Sequence, residues 1–177
     1  AHIPSSLKII STSLFYDNAL VHVHIPTSVV HIASSAFRKN ALVNLVIPSS
    51  VTSISNSSFY NNLINNLTLP NSLTEIPYEA FRLNALGEIN IPNSVTSIGP
   101  YAFYNNAIVN LVIPSSVVFI GSNAFAYNSL ASACYMGNVT PTVGSFAFGG
   151  VPFTQCSFSS PTSSPTPSQL SSTSSGI

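Results

Sequence analysis

Charged side chains are scarce in this 177-residue chain, which holds only four Lys or Arg and four Asp or Glu residues. They make up 5% of the sequence, and the formal net charge at pH 7 is zero, whereas soluble domains carry about 25% charged residues. The lack of clustered Lys and Arg argues against nucleic acid or anionic lipid as a partner. Because a neutral surface is poorly soluble, we expect glycans or assembly to cover it.

Long hydrophobic runs are also missing. No stretch approaches the roughly 20 apolar residues that span a membrane. No signal peptide precedes the repeat sequence that follows Ala1, so we interpret the chain as a processed or excised product. Apolar residues still make up 45% of the sequence, which is enough to build the core of one domain of ~100–200 residues.

One short sequence recurs along the chain. The stretch NALVNLVIPSSV at residues 40–51 returns as NAIVNLVIPSSV at residues 106–117, and an Ile-Pro or Leu-Pro pair recurs at a constant interval from Pro4 and Pro26 to Pro114. We count repeat position 1 as the residue before each of these prolines. Position 4 is then Ser, position 8 Ile, position 13 Phe and position 16 Asn in all six copies. This fixed 22-residue period predicts a solenoid in which every coil meets the same neighbours.

The pattern within each copy predicts strands and little α-helix. Aliphatic residues at positions 18, 21 and 1 indicate a short strand of a parallel sheet, which the proline at position 2 ends because it cannot donate to the ladder. Positions 5–8 form a second extended segment. The six phenylalanines at position 13 should stack in the centre, where each buried ring contributes roughly 1.5–3 kcal/mol. The asparagine at position 16 can bond backbone groups of its own coil and the next.

The segment IPNSVTSIGPYAFYNNAIVNLVIPSSV, residues 91–117, resembles the BspA-like class of leucine-rich repeat. The resemblance extends from Ile3 to about Phe153. It implies a β-rich solenoid, a right-handed leucine-rich-repeat coil with a parallel sheet on one face. It also implies a protein that is secreted or anchored at the cell surface and that takes part in adhesion or matrix binding.

The domain organisation follows from the period. Residues 1–156 are predicted to form the solenoid, with six repeats from residue 3 to residue 134 and a C-terminal cap over residues 135–156. Residues 157–177 are almost entirely Ser, Thr and Pro, a composition typical of linkers and mucin-like stalks. We expect O-glycosylation there, and the candidate positions are Thr162, Ser163, Ser164, Thr166, Ser168 and Thr173.

Cys134 and Cys156 are separated by one repeat length. One repeat apart means neighbouring rungs of the solenoid, within reach of a disulfide bond. A single structural disulfide fits an extracellular chain of low charge, and the alternative is two buried free thiols.

Position 14 alternates between tyrosine and arginine over five coils. Guanidinium groups stacked between rings would form a surface ladder worth about 0.5–1 kcal/mol per exposed contact. The ladder either stabilises the outer face or offers a flat aromatic strip to a sugar or protein. Its members are Tyr16, Arg38, Tyr60, Arg82 and Tyr104.

Two further groups of residues are weaker site candidates. His2 and His24 share position 22, and His22 lies on the same side of the strand, but no acidic ligand accompanies them; we therefore predict no metal site and no cofactor. The N-glycosylation sequons start at Asn56, Asn66 and Asn138.

No catalytic constellation is visible. The four acidic residues lie in different columns of the repeat without a base partner, the many serines lack regular His and Asp companions, and no phosphate-binding loop occurs. The sequence predicts a protein that is not an enzyme. The acidic residues are Asp17, Glu75, Glu79 and Glu88.

Our leading interpretation is an extracellular or cell-surface structural rod, shielded by glycans, that assembles head to tail into a fibre or coat. Its assembly end would be the first apolar layer, an uncovered patch large enough to mark a contact surface. That layer consists of Ile3, Leu7, Ile10, Phe15, Leu20 and Val23.

The alternative interpretation is an adhesion or recognition module that binds an extracellular protein or glycan through its sheet face. Position 20 carries different polar residues from coil to coil, which suits recognition of a specific partner. Ice binding ranks third because the face is only half regular. The position-20 residues are His22, Asn44, Asn66, Glu88 and Asn110.

Overall fold

The computed structural model describes residues 3–156. In this range the chain forms a β-solenoid of about seven turns, with parallel strands and no helix, which confirms the predicted fold class. None of the described residues therefore belongs to a helix able to cross a membrane. We number the coils 1 to 6 by the six copies of the repeat, so that coil 4 comprises residues 69–90.

Two columns of short parallel strands run along the solenoid, one at repeat positions 7–8 and one starting at position 20. The first column follows β1 (Ile9–Ile10), β2 (His31–Ile32), β4 (Ser53–Ile54), β6 (Glu75–Ile76), β7 (Ser97–Ile98), β9 (Phe119–Ile120) and β11 (Thr142–Val143). The second follows β3 (Asn44–Val46), β5 (Asn66–Thr68), β8 (Asn110–Ile113), β10 (Ser132–Tyr135) and β12 (Phe153–Gln155). The segment expected to be merely extended at positions 5–8 is thus a second ladder.

Each column alternates between core and solvent as strands do. In β8, Leu111 and Ile113 are buried while Asn110 and Val112 are exposed. The outward residues of the second column therefore form a surface whose composition is free to vary, and the inward residues fix the fold.

The phenylalanines of position 13 form a continuous stack through the core. Ring centroids of neighbours are 5.2–5.6 Å apart from Phe15 to Phe125. The stack then continues beyond the six predicted rings to Phe148, at 5.9 Å, and Phe153, at 4.3 Å. The cap therefore extends the same core.

The asparagines of position 16 join successive coils. The side-chain amide of Asn62 donates to the carbonyl oxygens of Phe37 and Phe59, at 2.9 and 3.2 Å, and its Oδ1 accepts from the backbone N–H of Leu42. Asn84 repeats this arrangement one coil later. Each amide thus satisfies turn backbone in two coils, as its donor and acceptor pair allows.

Each coil turns through two residues in the left-handed region, at positions 11 and 15, and none of them is glycine. Side chains there cost about 1–2 kcal/mol each. Hydrogen bonds to the following coil hold the conformation; the amide of Leu83, for example, donates to Tyr104 at 2.9 Å. These residues are Ser13, Asp17, Ser35, Lys39, Ser57, Asn61, Glu79, Leu83, Tyr101, Asn105, Asn123 and Tyr127.

The last coil leaves the register of the repeat. Val143 pairs with Ile120, so the step between these two strands is one residue longer than the repeat. Phe153 pairs with Ala133, so that step is two residues shorter than the repeat. A disulfide joins Cys134 to Cys156 with a Cα–Cα distance of 5.0 Å, although the register neighbour of Cys134 is Thr154. The cysteines meet across neighbouring rungs as expected, but not side by side.

Candidate functional site

Coil 4 is the irregular coil of the solenoid. It has Pro77 at position 9, Glu79 at position 11 and Gly87 at position 19, and no other copy of the repeat has the same residue type at these positions. Three of the four acidic residues of the chain also lie in it. The residues that stacking requires recur in every coil of a repeat protein. Residues that occur in one coil alone are therefore candidates for a functional role.

Pro77 interrupts the first strand column. At the same position in other coils, the amide of Ser55 donates to Ile32 and that of Gly99 donates to Ile76. Proline has no N–H to donate, so the equivalent bond to Ile54 cannot form. The column accordingly divides into one sheet ordered β1-β2-β4 and another ordered β11-β9-β7-β6.

Gly87 accompanies the interruption of the second column. Three of the other coils have valine at this position, and the remaining two have Asn65 and Ala131. Glycine weakens a strand because it loses more entropy and offers no side chain to pack. No strand forms at residues 88–90, and the column divides into β3-β5 and β12-β10-β8. The backbone N–H groups of residues 88–90 donate to no other described residue.

A depression of about 690 Å³ lies over this gap in the second column. We call it the Asn depression, after the six polar residues that line it. Apolar residues also line it, among them Ile89, Val112 and Met136. The six polar residues, all of them exposed or half-buried at the surface, are Asn65, Asn66, Glu88, Asn90, Asn93 and Asn110.

The lining of the Asn depression is almost uncharged. Glu88 is its only charged lining residue, and no Lys, Arg or His side chain lines it. Asn110 is held in place because its Oδ1 accepts from the hydroxyl of Ser132 at 3.0 Å, which leaves its NH₂ group to donate elsewhere. The site offers neutral donors and acceptors with one carboxylate, and it has no nucleophile–base pair.

The surface ladder lies on a different side of the solenoid, at the turns. The guanidinium carbon of Arg38 is 4.4 Å from the ring centroid of Tyr60. That of Arg82 lies between two rings, 5.5 Å from Tyr60 and 4.8 Å from Tyr104. These four residues alternate as position 14 predicts.

Two contacts at the ends of the ladder differ from that simple alternation. Tyr16 meets the ammonium group of Lys39 at 5.6 Å, one residue past the arginine expected to cover it. At the other end Tyr127 extends the row, with its ring centroid 4.9 Å from that of Tyr104. The aromatic row is therefore longer than the five residues of position 14.

Glu79 contacts Arg82 of the surface ladder, an interaction that the repeat pattern did not predict. Its carboxylate forms a salt bridge with Arg82 and accepts from the hydroxyl of Ser57 at 3.1 Å. Burial alone would lower the pKa of Arg82, but the hydrogen bond and charge of Glu79 outweigh burial and raise it. Glu79 is itself buried and has a left-handed backbone. Through this salt bridge it stabilises the ladder from beneath.

Comparison with known proteins places this architecture in a family. The sequence matches the BspA type leucine-rich repeat region in six copies, over residues 1–108 and 52–173. The chain belongs to the BspA-type leucine-rich repeat family. Repeats of this family and fold are typically non-enzymatic.

Two solved structures resemble this BspA-type chain. A leucine-rich repeat protein from Bacteroides ovatus shares 19% identity with a TM-score of 0.63 over 86% of this chain and 48% of its own. The pneumococcal vaccine antigen PcpA shares 22% identity with a TM-score of 0.43 over 70% of this chain and 35% of its own. The BspA-type chain therefore spans less than half the length of either. The comparison with curated proteins finds no match.

The predicted assembly end of the BspA-type solenoid is less exposed than the sequence led us to expect. Ile3 and Ile10 are 4% and 0% exposed and belong to the hydrophobic core. The other four members are partly buried and pack against the core. These are Leu7, Phe15, Leu20 and Val23.

The histidine candidates do not form a cluster within residues 3–156. His22 and His24 are exposed, His2 lies outside the described residues, and no group of three His, Cys, Asp or Glu side chains occurs in the described range. His31, which sequence analysis did not select, has its Nδ1 2.7 Å from the hydroxyl of Ser53. No described acidic side chain contacts it to complete a triad.

The glycosylation candidates divide by location. Asn56, Asn66 and Asn138 all reach the surface, so each is accessible to modification. Asn66 also lines the Asn depression, a placement that the sequon itself could not predict. The six candidate O-glycosylation positions, like the rest of residues 157–177, lie outside the described residues.

Proposed function

We propose that this chain is a non-catalytic recognition module of an extracellular or cell-surface protein, and that it binds its partner through the Asn depression. The observation that carries the proposal is that coil 4 interrupts the second strand column, and that five asparagines from three coils line the resulting gap together with Glu88. The disulfide between Cys134 and Cys156 supports an oxidising, extracellular location.

The interruption of the second strand column favours recognition of a specific partner over ice binding. A periodic lattice such as ice calls for a flat, repeating face. Here the second strand column is divided, and its outward residues change from Asn66 to Glu88 to Asn110. Such a face suits one partner of limited size.

A binding measurement with matched variants tests the proposal. Purified chain is assayed against immobilised extracellular-matrix proteins and a panel of glycans, together with the double variant Glu88→Gln/Asn90→Ala. Asn44→Ala is the control, because Asn44 is exposed at the same repeat position as Glu88 but outside the depression. Binding should fall at least tenfold in the double variant and persist in the control. Equal binding by all three proteins would contradict the proposal.

Head-to-tail assembly into a fibre or coat is a second proposal. Partly buried Leu7 and Phe15 lie at one end of the described solenoid, and Phe146, 75% exposed, lies in the last coil. A contact between such unlike surfaces does not close on itself and forms filaments. Sedimentation of the full chain and of Phe146→Ser would test it; filaments should shorten or disappear in the variant, and a concentration-independent monomer would contradict the proposal.

A further inference from the structure

We infer that the ligand of the Asn depression is a neutral oligosaccharide. The inference rests on the proposed function, since it requires the depression to be the binding site. Its volume of about 690 Å³ falls in the ~300–1,000 Å³ range of pockets that hold drug-sized ligands. The chemistry of the lining decides which class of ligand fits.

Amide side chains match sugar hydroxyls. Each Asn offers two N–H donors and an acceptor oxygen, and a hydroxyl also donates and accepts, so one amide can bond one or two neighbouring hydroxyls. Asn110 has its oxygen occupied by Ser132 and therefore presents donors. Asn65, Asn66 and Asn90 have no side-chain hydrogen bond to another described residue, so their full bonding capacity is available.

The backbone adds further donors to this surface. Residues 88–90 form no strand and donate no hydrogen bond to described residues. Their N–H groups are therefore free to bind water or a ligand, unlike those of the regular ladder. Gly87, directly before this stretch, accompanies the gap in the second column.

The charge of the depression excludes several other ligands. Glu88 is the single charged residue and no basic side chain lines the site, so sialylated, sulfated and phosphorylated ligands would meet repulsion without a compensating cation. A carboxylate accepts two hydrogen bonds from adjacent hydroxyls, and such charge-assisted bonds are the stronger kind. A neutral glycan satisfies this carboxylate without bringing a charge of its own.

The remaining lining suits the apolar side of a sugar ring. Val112 and Met136 are 49% and 46% exposed, and Ile89 is half-buried. These groups offer the C–H face of a pyranose a place to lie while its hydroxyls reach the amides. An extended peptide fits less well, because it would add along a regular strand edge, and residues 88–90 at the centre of the depression form no strand.

Asn66 links recognition to the chain's own modification. Asn66 is the acceptor of a sequon and lines the depression. A glycan attached there would place sugar over the site, and it would compete with an external oligosaccharide. The test therefore uses full-length chain made in a bacterial host without N-glycosylation.

The experiment is a glycan array followed by calorimetric titration with the best neutral oligosaccharide. The array carries neutral hexose and N-acetylhexosamine oligosaccharides beside sialylated and sulfated ones. Neutral members should bind, and Glu88→Gln and Asn90→Ala should each weaken binding at least tenfold, whereas Asn44→Ala leaves it unchanged. Circular dichroism and the unfolding midpoint verify that the variants fold.

Three other outcomes would overturn the inference, and they differ in what they leave standing. Binding of a matrix protein that requires Glu88 and Asn90, without binding of any neutral glycan, would refute the sugar and retain the recognition site. Preference for anionic glycans would refute a neutral ligand and retain a glycan-binding site. Binding of neutral glycans that is unaffected in Glu88→Gln and Asn90→Ala would refute both the inference and the proposed function.

Discussion

Gly99 lies against Pro77 of the preceding coil, so closely that a Cβ atom on Gly99 would be 2.8 Å from the carbonyl carbon of Pro77. It would also be 2.7 Å from the amide nitrogen of Tyr78. The amide of Gly99 donates to Ile76 at 2.7 Å, whereas Ser55 at the same position of coil 3 donates to Ile32 at 2.9 Å. Coils 4 and 5 therefore approach each other more closely here than coils 2 and 3.

Gly99→Ala should destabilise the protein strongly. The added methyl group meets backbone atoms, which cannot move aside as the end of a side chain does, and overpacking typically costs about 1–3 kcal/mol. We expect a loss at the upper end of that range in the free energy of unfolding, measured by urea denaturation. The converse change Ser55→Gly serves as the control and should cost about 0.5–1 kcal/mol. A Gly99→Ala variant as stable as the parent would mean that the coils separate easily.

Gly87→Ala should have the opposite effect. An added Cβ at Gly87 meets no atom within 4 Å, and the residue does not have a left-handed φ. Alanine at such a position stabilises by about 0.4–1 kcal/mol because it restricts the unfolded chain. The urea midpoint should rise without a change in the slope of the denaturation curve. A lower midpoint would indicate that this segment needs a conformation available only to glycine.

The regular part of the fold was predictable because each column repeats six times. Phe37 and Phe59 stack as the period requires, and the asparagine of position 16 bonds two coils as its amide allows. The second strand column was expected, but the ladder at positions 7–8 was not. A two-residue strand such as His31–Ile32 has too few residues to show an alternation in sequence.

The candidate site was less predictable, because it arises where the second strand column is interrupted. Pro77 and Gly87 were visible as departures from their columns, and attention to departures would have selected coil 4. No single column could reveal that the gap collects asparagines from three coils, since Asn90 lies at position 22 whereas Asn66 and Asn110 lie at position 20. They meet only through the depression. The altered register of the cap, with its shortened step at the last strand, was likewise invisible to a strict period.

Phe81→Ala tests the aromatic stack. The ring is fully buried, with its centroid 5.5 Å from Phe59 and 5.6 Å from Phe103. Truncation of a buried phenylalanine costs about 3–5 kcal/mol, from lost transfer free energy and the cavity left behind. Val118→Ala, at a side chain 64% exposed, should change stability by less than about 0.5 kcal/mol. If Phe81→Ala lost as little as Val118→Ala in urea denaturation, the stack would not be the core that the structure describes.

Stability should also fall at alkaline pH through Tyr78. Burial, followed by the charge and hydrogen bond of the Glu79 carboxylate, raises the pKa of Tyr78 above its ordinary value of 10.0. The folded state therefore favours the neutral phenol. The resulting stabilisation is complete below about pH 10 and is lost as the pH rises through the raised pKa.

Two variants isolate this contribution. We expect Tyr78→Phe to lose less stability than the parent between pH 9 and pH 11, because it has no phenol to ionise. Glu79→Gln removes the negative charge that opposes ionisation, so its decline should be intermediate. The measurement is the urea midpoint at each pH, with the difference from the parent plotted against pH. The effect is small, since Tyr78 is 41% exposed and solvent screens its surroundings. Curves that stay parallel for the parent and Tyr78→Phe over this range would show that Tyr78 contributes nothing to the alkaline loss.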